Sequence, residues 1–255
     1  MSRPLAAMAA ALMTSTLLIS PTATAQSSTS TWCASQDRIA VLGASSETGY
    51  GTTGYDPTVA DEYDATRYGW VARVARNASA EWDTATDVYA HNGATIADFL
   101  PDEPNPGGRH WPTTHNAIDN VEATQPDLIL IGGAGANEYV SNVAPATYEA
   151  HLRDLVQQLR DARSGVDIIL ITHPDIQWPD AERPWQDYAA ITDQVARDTG
   201  SGLVDMRQYI DSPSTTGAAG VWYSDDAHLA DAGQASQSST MWTLLWSAVG
   251  GCGTT

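Results

Sequence analysis

Four short segments carry residue types that could do chemistry. Gly43-Ala44-Ser45-Ser46 offers a serine hydroxyl, and Ser224-Asp225-Asp226-Ala227-His228 offers an imidazole behind two carboxylates. Asn92-Gly93-Ala94 and Gly135-Ala136-Asn137-Glu138 offer backbone and side-chain amides. A serine hydroxyl is a poor nucleophile at neutral pH and needs a base within hydrogen-bond reach. Histidine is the side chain that most often supplies it. Each segment alone has a simpler reading: Gly-x-Ser and Asn-Gly occur in ordinary turns, Asn137 could cap a helix, and His228 could be a surface histidine near a helix start.

The surrounding elements give these segments a common place. Arg38–Gly43 is an apolar run ending in glycine, Asp87–Ala90 a second, Asp127–Gly133 a third, Val166–Thr172 a fourth and Gly202–Asp205 a short fifth; all read as strands. Val71, Val74, Ala75, Ala78 and Trp82 fall at helical spacing, and Tyr148–Arg163, Trp185–Thr199 and Asp231–Val249 read as helices. Strands alternating with helices imply an α/β fold, a three-layer doubly wound parallel sheet. In that architecture functional residues gather at the carboxyl ends of the strands. Three of the four segments directly follow a strand, and the fourth precedes the last helix, so all four belong on one edge.

As an ordered set, Ser, Gly, Asn and Asp-x-x-His resemble the SGNH (GDSL-like) hydrolase family. The first block is Val41 to Gly49, the second Asn92 to Thr95, the third Ile131 to Glu138, and the last Asp225 to His228 with Gly233 beyond. The resemblance covers essentially the whole chain after residue 25 and implies the flavodoxin-like fold of that family. It implies Ser45 as nucleophile, His228 as base and Asp225, three residues ahead, as the acid that orients it. Asp226 is a rival for that last role. The oxyanion hole implied is the backbone N–H of Ser45, the backbone N–H of Gly93 and the side-chain amide of Asn137. Two departures stand out. Ala44 occupies a position where the family usually has Asp, and Glu138 one where it often has Asp. The first bears on hydrogen bonding in the turn that carries Ser45.

The rest of the chain sets the context. Arg3, an apolar Leu5–Ile19 stretch, Pro21 and Ala23-Thr24-Ala25 read as a signal peptide over residues 1–25, cleaved after Ala25. Residues 26–255 then form a single domain, a size that supports one sizeable core. Cys33 and Cys252 lie at its two ends, and in an exported chain such a pair is expected to bridge, worth ~2–4 kcal/mol in the chain-entropy view. The formal net charge is −19, and all twelve basic residues are Arg. That charge disfavours nucleic acid and anionic membranes as partners. The expectation is a secreted, extracellular monomer with no stable membrane anchor, acting on a small-molecule or polysaccharide ester. Neither a metal nor a cofactor is expected, since His110 and His115 have no companion carboxylates at ligand spacing.

The chain has nine Trp and ten Tyr against one Phe. Trp111, Trp178 and Trp222 fall in loops near the expected catalytic edge and could shape a cleft or simply fill the core. Trp242, Leu244, Leu245 and Trp246 read as the core face of the last helix. Residues 46–64 read as a loop, and its Tyr50–Tyr63 stretch, rich in Gly, Thr and Tyr, could wall the cleft or lie in solvent. The function expected is hydrolysis of carboxylic esters through an acyl-serine intermediate, on short-chain or O-acetyl carbohydrate esters. The alternatives are a lipase or phospholipase, a binding protein whose catalysis has decayed, and transfer of the acyl group to a sugar.

Overall fold

The computed structural model describes residues 30–56, 61–102, 111–213 and 221–252. The expected signal peptide and His110 lie outside these residues. Five strands, β1 (Arg38–Gly43), β2 (Ala85–Ala90), β3 (Leu128–Ala134), β4 (Asp167–Thr172) and β5 (Gly202–Asp205), form one sheet in the order β2-β1-β3-β4-β5. Every pairing is parallel. Around it, among the described residues, run α1 (Thr31–Ala34), α2 (Ser45–Thr48), α3 (Trp70–Trp82), α4 (Pro112–His115), α5 (Ala117–Thr124), α6 (Ala136–Val140), α7 (Pro145–Ala162), α8 (Trp185–Thr199) and α9 (Asp231–Gly251).

The inner strands β1, β3 and β4 are largely apolar because both faces of the sheet are covered, while the edge strand β2 carries Thr86 and Asp87 and is only half-buried over Ala85–Val88. Successive side chains point to opposite faces. Ile39, Val41, Leu128, Leu130 and Ile171 pack on one side with α3 and α9. Ala40, Leu42, Ile129, Ile131, Ile168 and Leu170 pack on the other with α5, α7 and α8. On α7, Tyr148, Leu152, Leu155, Val156 and Leu159 are buried at spacings of three and four, a single stripe against the sheet.

The three long helices after β2 match the expected ones within a few residues. The start of α7 lies at Pro145 rather than Tyr148, since proline suits the first helical position. The expected core face of α9 is core only in part. Leu245 is buried, but Trp246 is half exposed and stacks on Trp82 at 5.8 Å between ring centroids. Adjacent helical residues point about 100° apart, so Leu245 and Trp246 cannot share one narrow face. Cys33 and Cys252, 219 residues apart in sequence, form a disulfide that pins α1 to the end of α9.

The chain leaves β1 to one side for β2 and then crosses to the other side for β3. Doubly wound sheets bind ligands at such a reversal, outside the carboxyl ends of the strands. Ser45 follows β1 at this point.

Candidate active site

The Ser45 and His228 segments are held in part by local bonds that their own sequences supply, and the other two by bonds to each other. Ser45 is the first residue of α2, directly behind β1. The Glu47 side chain reaches back, and its Oε2 accepts the Ala44 N–H at 2.8 Å. That is one half of a capping box. The alanine methyl offers no reciprocal oxygen, and the turn is completed by Thr48, whose Oγ1 donates to the Ser45 carbonyl at 3.0 Å. The Glu47 side chain lies fully buried against Gly43 and Gly132, where any Cβ would come to 2.3 Å from it. The Trp70 indole N–H donates to Glu47 Oε1 at 3.2 Å. Burial raises the Glu47 pKa from 4.5 to about 7, against the lowering effect of these donors.

A second bond set ties this turn to α9. Gln234 Oε1 accepts the Trp70 backbone N–H at 2.8 Å, and Gln234 Nε2 donates to the Ser46 carbonyl at 3.4 Å. The helix that follows His228 therefore also grips the residue that follows Ser45.

The His228 loop organises itself around Asp225. One carboxylate oxygen accepts the backbone N–H groups of Ala227 at 2.8 Å and His228 at 2.7 Å. The other lies 2.8 Å from His228 Nδ1. The Ser224 N–H closes the loop onto the His228 carbonyl at 2.8 Å. His228 Nε2 then lies 3.0 Å from Ser45 Oγ. Partial burial pushes the Asp225 pKa up, but the imidazole and the two backbone donors pull harder and bring it to about 2. Asp226 does not touch the imidazole; its carbonyl accepts the Gln177 N–H at 2.9 Å on the far side of the loop. The Tyr50 ring covers the imidazole at 4.2 Å.

The remaining two segments are tied to each other. Gly93 sits at φ +78°, a conformation glycine takes without a Cβ clash. Asn137 Nδ2 donates to the Ala94 carbonyl at 2.7 Å, and Glu138 Oε1 accepts the Ile96 N–H at 2.5 Å. The start of α6 is thereby fixed to the loop after β2. Glu138 is buried, which raises its pKa to about 7.

The structure thus brings Ser45, Asp225, His228 and Asn137 to the carboxyl edge of the sheet, with Gly93 in the loop bonded to Asn137. Sequence reasoning missed His173, which follows β4 at the same edge and lines a cavity of about 70 Å3 together with Ser45, Asn137 and His228. Position at a strand end was the signal that could have found it. Its Nδ1 donates to the Pro174 carbonyl at 2.9 Å, and burial lowers its pKa to about 4. It is therefore neutral at this edge of the sheet.

Of the three loop tryptophans, Trp178 lines that cavity. Trp111 stacks on His91 at 3.9 Å, and Trp222 packs into the core beside α9. Residues 46–64 are not wholly a loop, since α2 occupies their start. Among the described residues, no three His, Cys, Asp or Glu side chains are grouped as a metal site requires.

The sequence matches the GDSL-like Lipase/Acylhydrolase family over residues 41–235. The chain belongs to that family and is a carboxylic ester hydrolase. None of the curated proteins compared matches it. Among solved structures, TesA aligns with a TM-score of 0.57 at 21% identity, over 82% of this chain and 98% of its own. A mutant of Axe2, an acetyl-xylooligosaccharide esterase from Geobacillus stearothermophilus, aligns with a TM-score of 0.58 at 20% identity, over 83% of this chain and 94% of its own. The acetyl xylan esterase AlAXEase aligns with a TM-score of 0.61 at 15% identity, over 81% of this chain and 98% of its own. At these identities the likeness establishes the SGNH hydrolase fold.

Proposed function

We propose that the chain is a secreted serine esterase that removes short acyl groups, acetyl foremost, from carbohydrate esters. The observation that carries the mechanism is the continuous chain from Asp225 through His228 to Ser45 Oγ, 2.8 and 3.0 Å per link. Asp225 fixes the imidazole with its proton on Nδ1, leaving Nε2 to accept from the serine hydroxyl. Ser45 Oγ attacks the ester carbonyl carbon as its proton passes to Nε2. The backbone N–H groups of Ser45 and Gly93 and the Asn137 amide receive the oxyanion. The intermediate collapses, and His228 returns the proton to the departing alcohol. Water, activated by the same imidazole, then cleaves the acyl-serine to the free acid.

The cavity beside Ser45 supports a short acyl group. Its apolar wall includes Val140, Ile176, Trp178 and Ala227, and its volume of about 70 Å3 matches roughly two waters. An acetyl group suits that space, and a long lipid chain does not. Secretion rests on the signal-peptide pattern of residues 1–25, with residues 26–255 as the mature domain. The Cys33–Cys252 disulfide accords with an oxidising compartment.

The test is hydrolysis of p-nitrophenyl acetate and its longer acyl homologues by residues 26–255, beside Ser45→Ala. Activity should fall to background in the variant, and the wild-type rate should drop steeply beyond three carbons. Equal rates in both proteins would refute the nucleophile. A preference for octanoyl over acetyl esters would refute the short-acyl reading and support a lipase.

A further inference from the structure

A second cavity, of about 580 Å3, opens beside the small one. Ile176 and Trp178 line both, so the two share a wall. The larger cavity lies between the loop after β4, the start of α8 and Asp226 of the His228 loop. The Gln177 N–H to Asp226 carbonyl bond joins two of these pieces. Its size is within the range of small-molecule sites, about 300–1,000 Å3.

We propose that this cavity is a subsite for a neutral glycosyl unit on the alcohol side of an O-acetylated saccharide. The proposal rests on the esterase reading above and extends it to what the acyl group is removed from. Three observations select this ligand class. First, the lining carries carboxylates and amides, Asp175, Asp226, Gln177 and Gln186, which suit the hydroxyls of a sugar and would leave a lipid chain among unpaired polar groups. Second, none of the lining residues is cationic. Two carboxylates and a strongly negative protein repel phosphates and uronates, so an anionic ligand is disfavoured. Third, the partly buried Trp178 supplies indole surface for the C–H face of a sugar ring, while the Trp185 ring is part of the core.

The test compares two substrates on the disulfide-bonded protein. One is p-nitrophenyl acetate, which has no sugar, and the other is acetylated xylotriose, with acetylated manno- and gluco-oligosaccharides beside it. The readout is the ratio of kcat/KM on the saccharide to kcat/KM on p-nitrophenyl acetate. A misfolded fraction lowers both rates alike and leaves the ratio intact. Trp178→Ala should lower the ratio at least about tenfold, equivalent to about 1.4 kcal/mol. Gln186→Ala should lower it several-fold, and Trp178→Phe should recover most of the loss. A ratio within twofold of wild type for both alanine variants, on every saccharide, would overturn the subsite. So would a wild type that cleaves p-nitrophenyl acetate yet none of the saccharides. Both outcomes leave the esterase standing. Loss of Ser45-dependent cleavage of p-nitrophenyl acetate itself would instead strike the esterase reading.

Discussion

Glu47 Oε2 accepts the backbone N–H of Ala44 at 2.8 Å, so the residue ahead of Ser45 is held by a side chain two positions behind it. Alanine at position 44 has no side-chain oxygen, and the turn is held by this bond together with the Thr48 hydroxyl on the Ser45 carbonyl and the Gln234 amide on the Ser46 carbonyl.

Replacing Glu47 by Gln tests that dependence. A Gln amide offers one acceptor, but the site presents two donors, the Ala44 N–H and the Trp70 indole N–H. One donor is left facing an NH2 group, a buried mismatch worth about 1–3 kcal/mol. Thermal melting should show that loss of stability. Turnover of p-nitrophenyl acetate should drop along with it, because the mismatch lies in the turn that aims Ser45. An unchanged kcat would mean that the turn is held without Glu47.

Asn137 is predicted to act on the transition state. One hydrogen of its amide is taken by the Ala94 carbonyl, which fixes the direction of the other. Asn137→Ala should lower kcat by roughly a hundred- to a thousandfold with a smaller change in KM, the usual cost of one oxyanion donor. A rise in KM with normal kcat would assign Asn137 to substrate binding instead.

The two neighbouring aspartates should separate sharply. In Asp225→Asn the new amide can present a donor to His228 Nδ1, which favours the tautomer with its proton on Nε2. That nitrogen then cannot accept from Ser45 Oγ. The loss in kcat should be about a hundredfold or more beyond any loss in Asp226→Asn, whose side chain does not touch the imidazole. Equal losses would show that the loop rearranges during turnover.

The fold was legible because β1, β3 and β4 each hold a run of four or more apolar residues, and such runs belong to a sheet covered on both faces. Ser45, Gly93, Asn137 and His228 were legible from their order at the strand ends. What the sequence hid was tertiary. The Trp70–Glu47 bond spans 23 residues and the Trp70–Gln234 bond 164, and nothing local marks them. His173 was within reach of the strand-end argument, but a lone histidine before proline resembles any loop residue. The α4, α5 and α6 segments are short, and their helices depend on packing more than on periodicity. The shared wall of Ile176 and Trp178 arises only when the loop after β4 meets the loop before α9.

The buried carboxyl groups should make stability depend on pH. Glu47 and Glu138 both have folded-state pKa values raised from 4.5 to about 7, chiefly by burial. Nearby Asp98 raises Glu138 further, while the backbone donors oppose the shift. A raised value means the folded state holds the proton more tightly than the unfolded chain does. Their contribution is then fully present below pH 4.5, falls as pH rises through about 7, and is constant above. Asp225 runs the other way. Its folded value of about 2 lies below 3.8, so its contribution is present above that pH and is lost only on acidification towards 2. The thermal midpoint should therefore be higher at pH 5 than at pH 8. Glu47→Gln removes one of the two titrations and should narrow that gap while lowering both midpoints. A wild type equally stable at pH 5 and pH 8 would show that both carboxyls ionise inside the fold without cost, with water or a counter-charge reaching them.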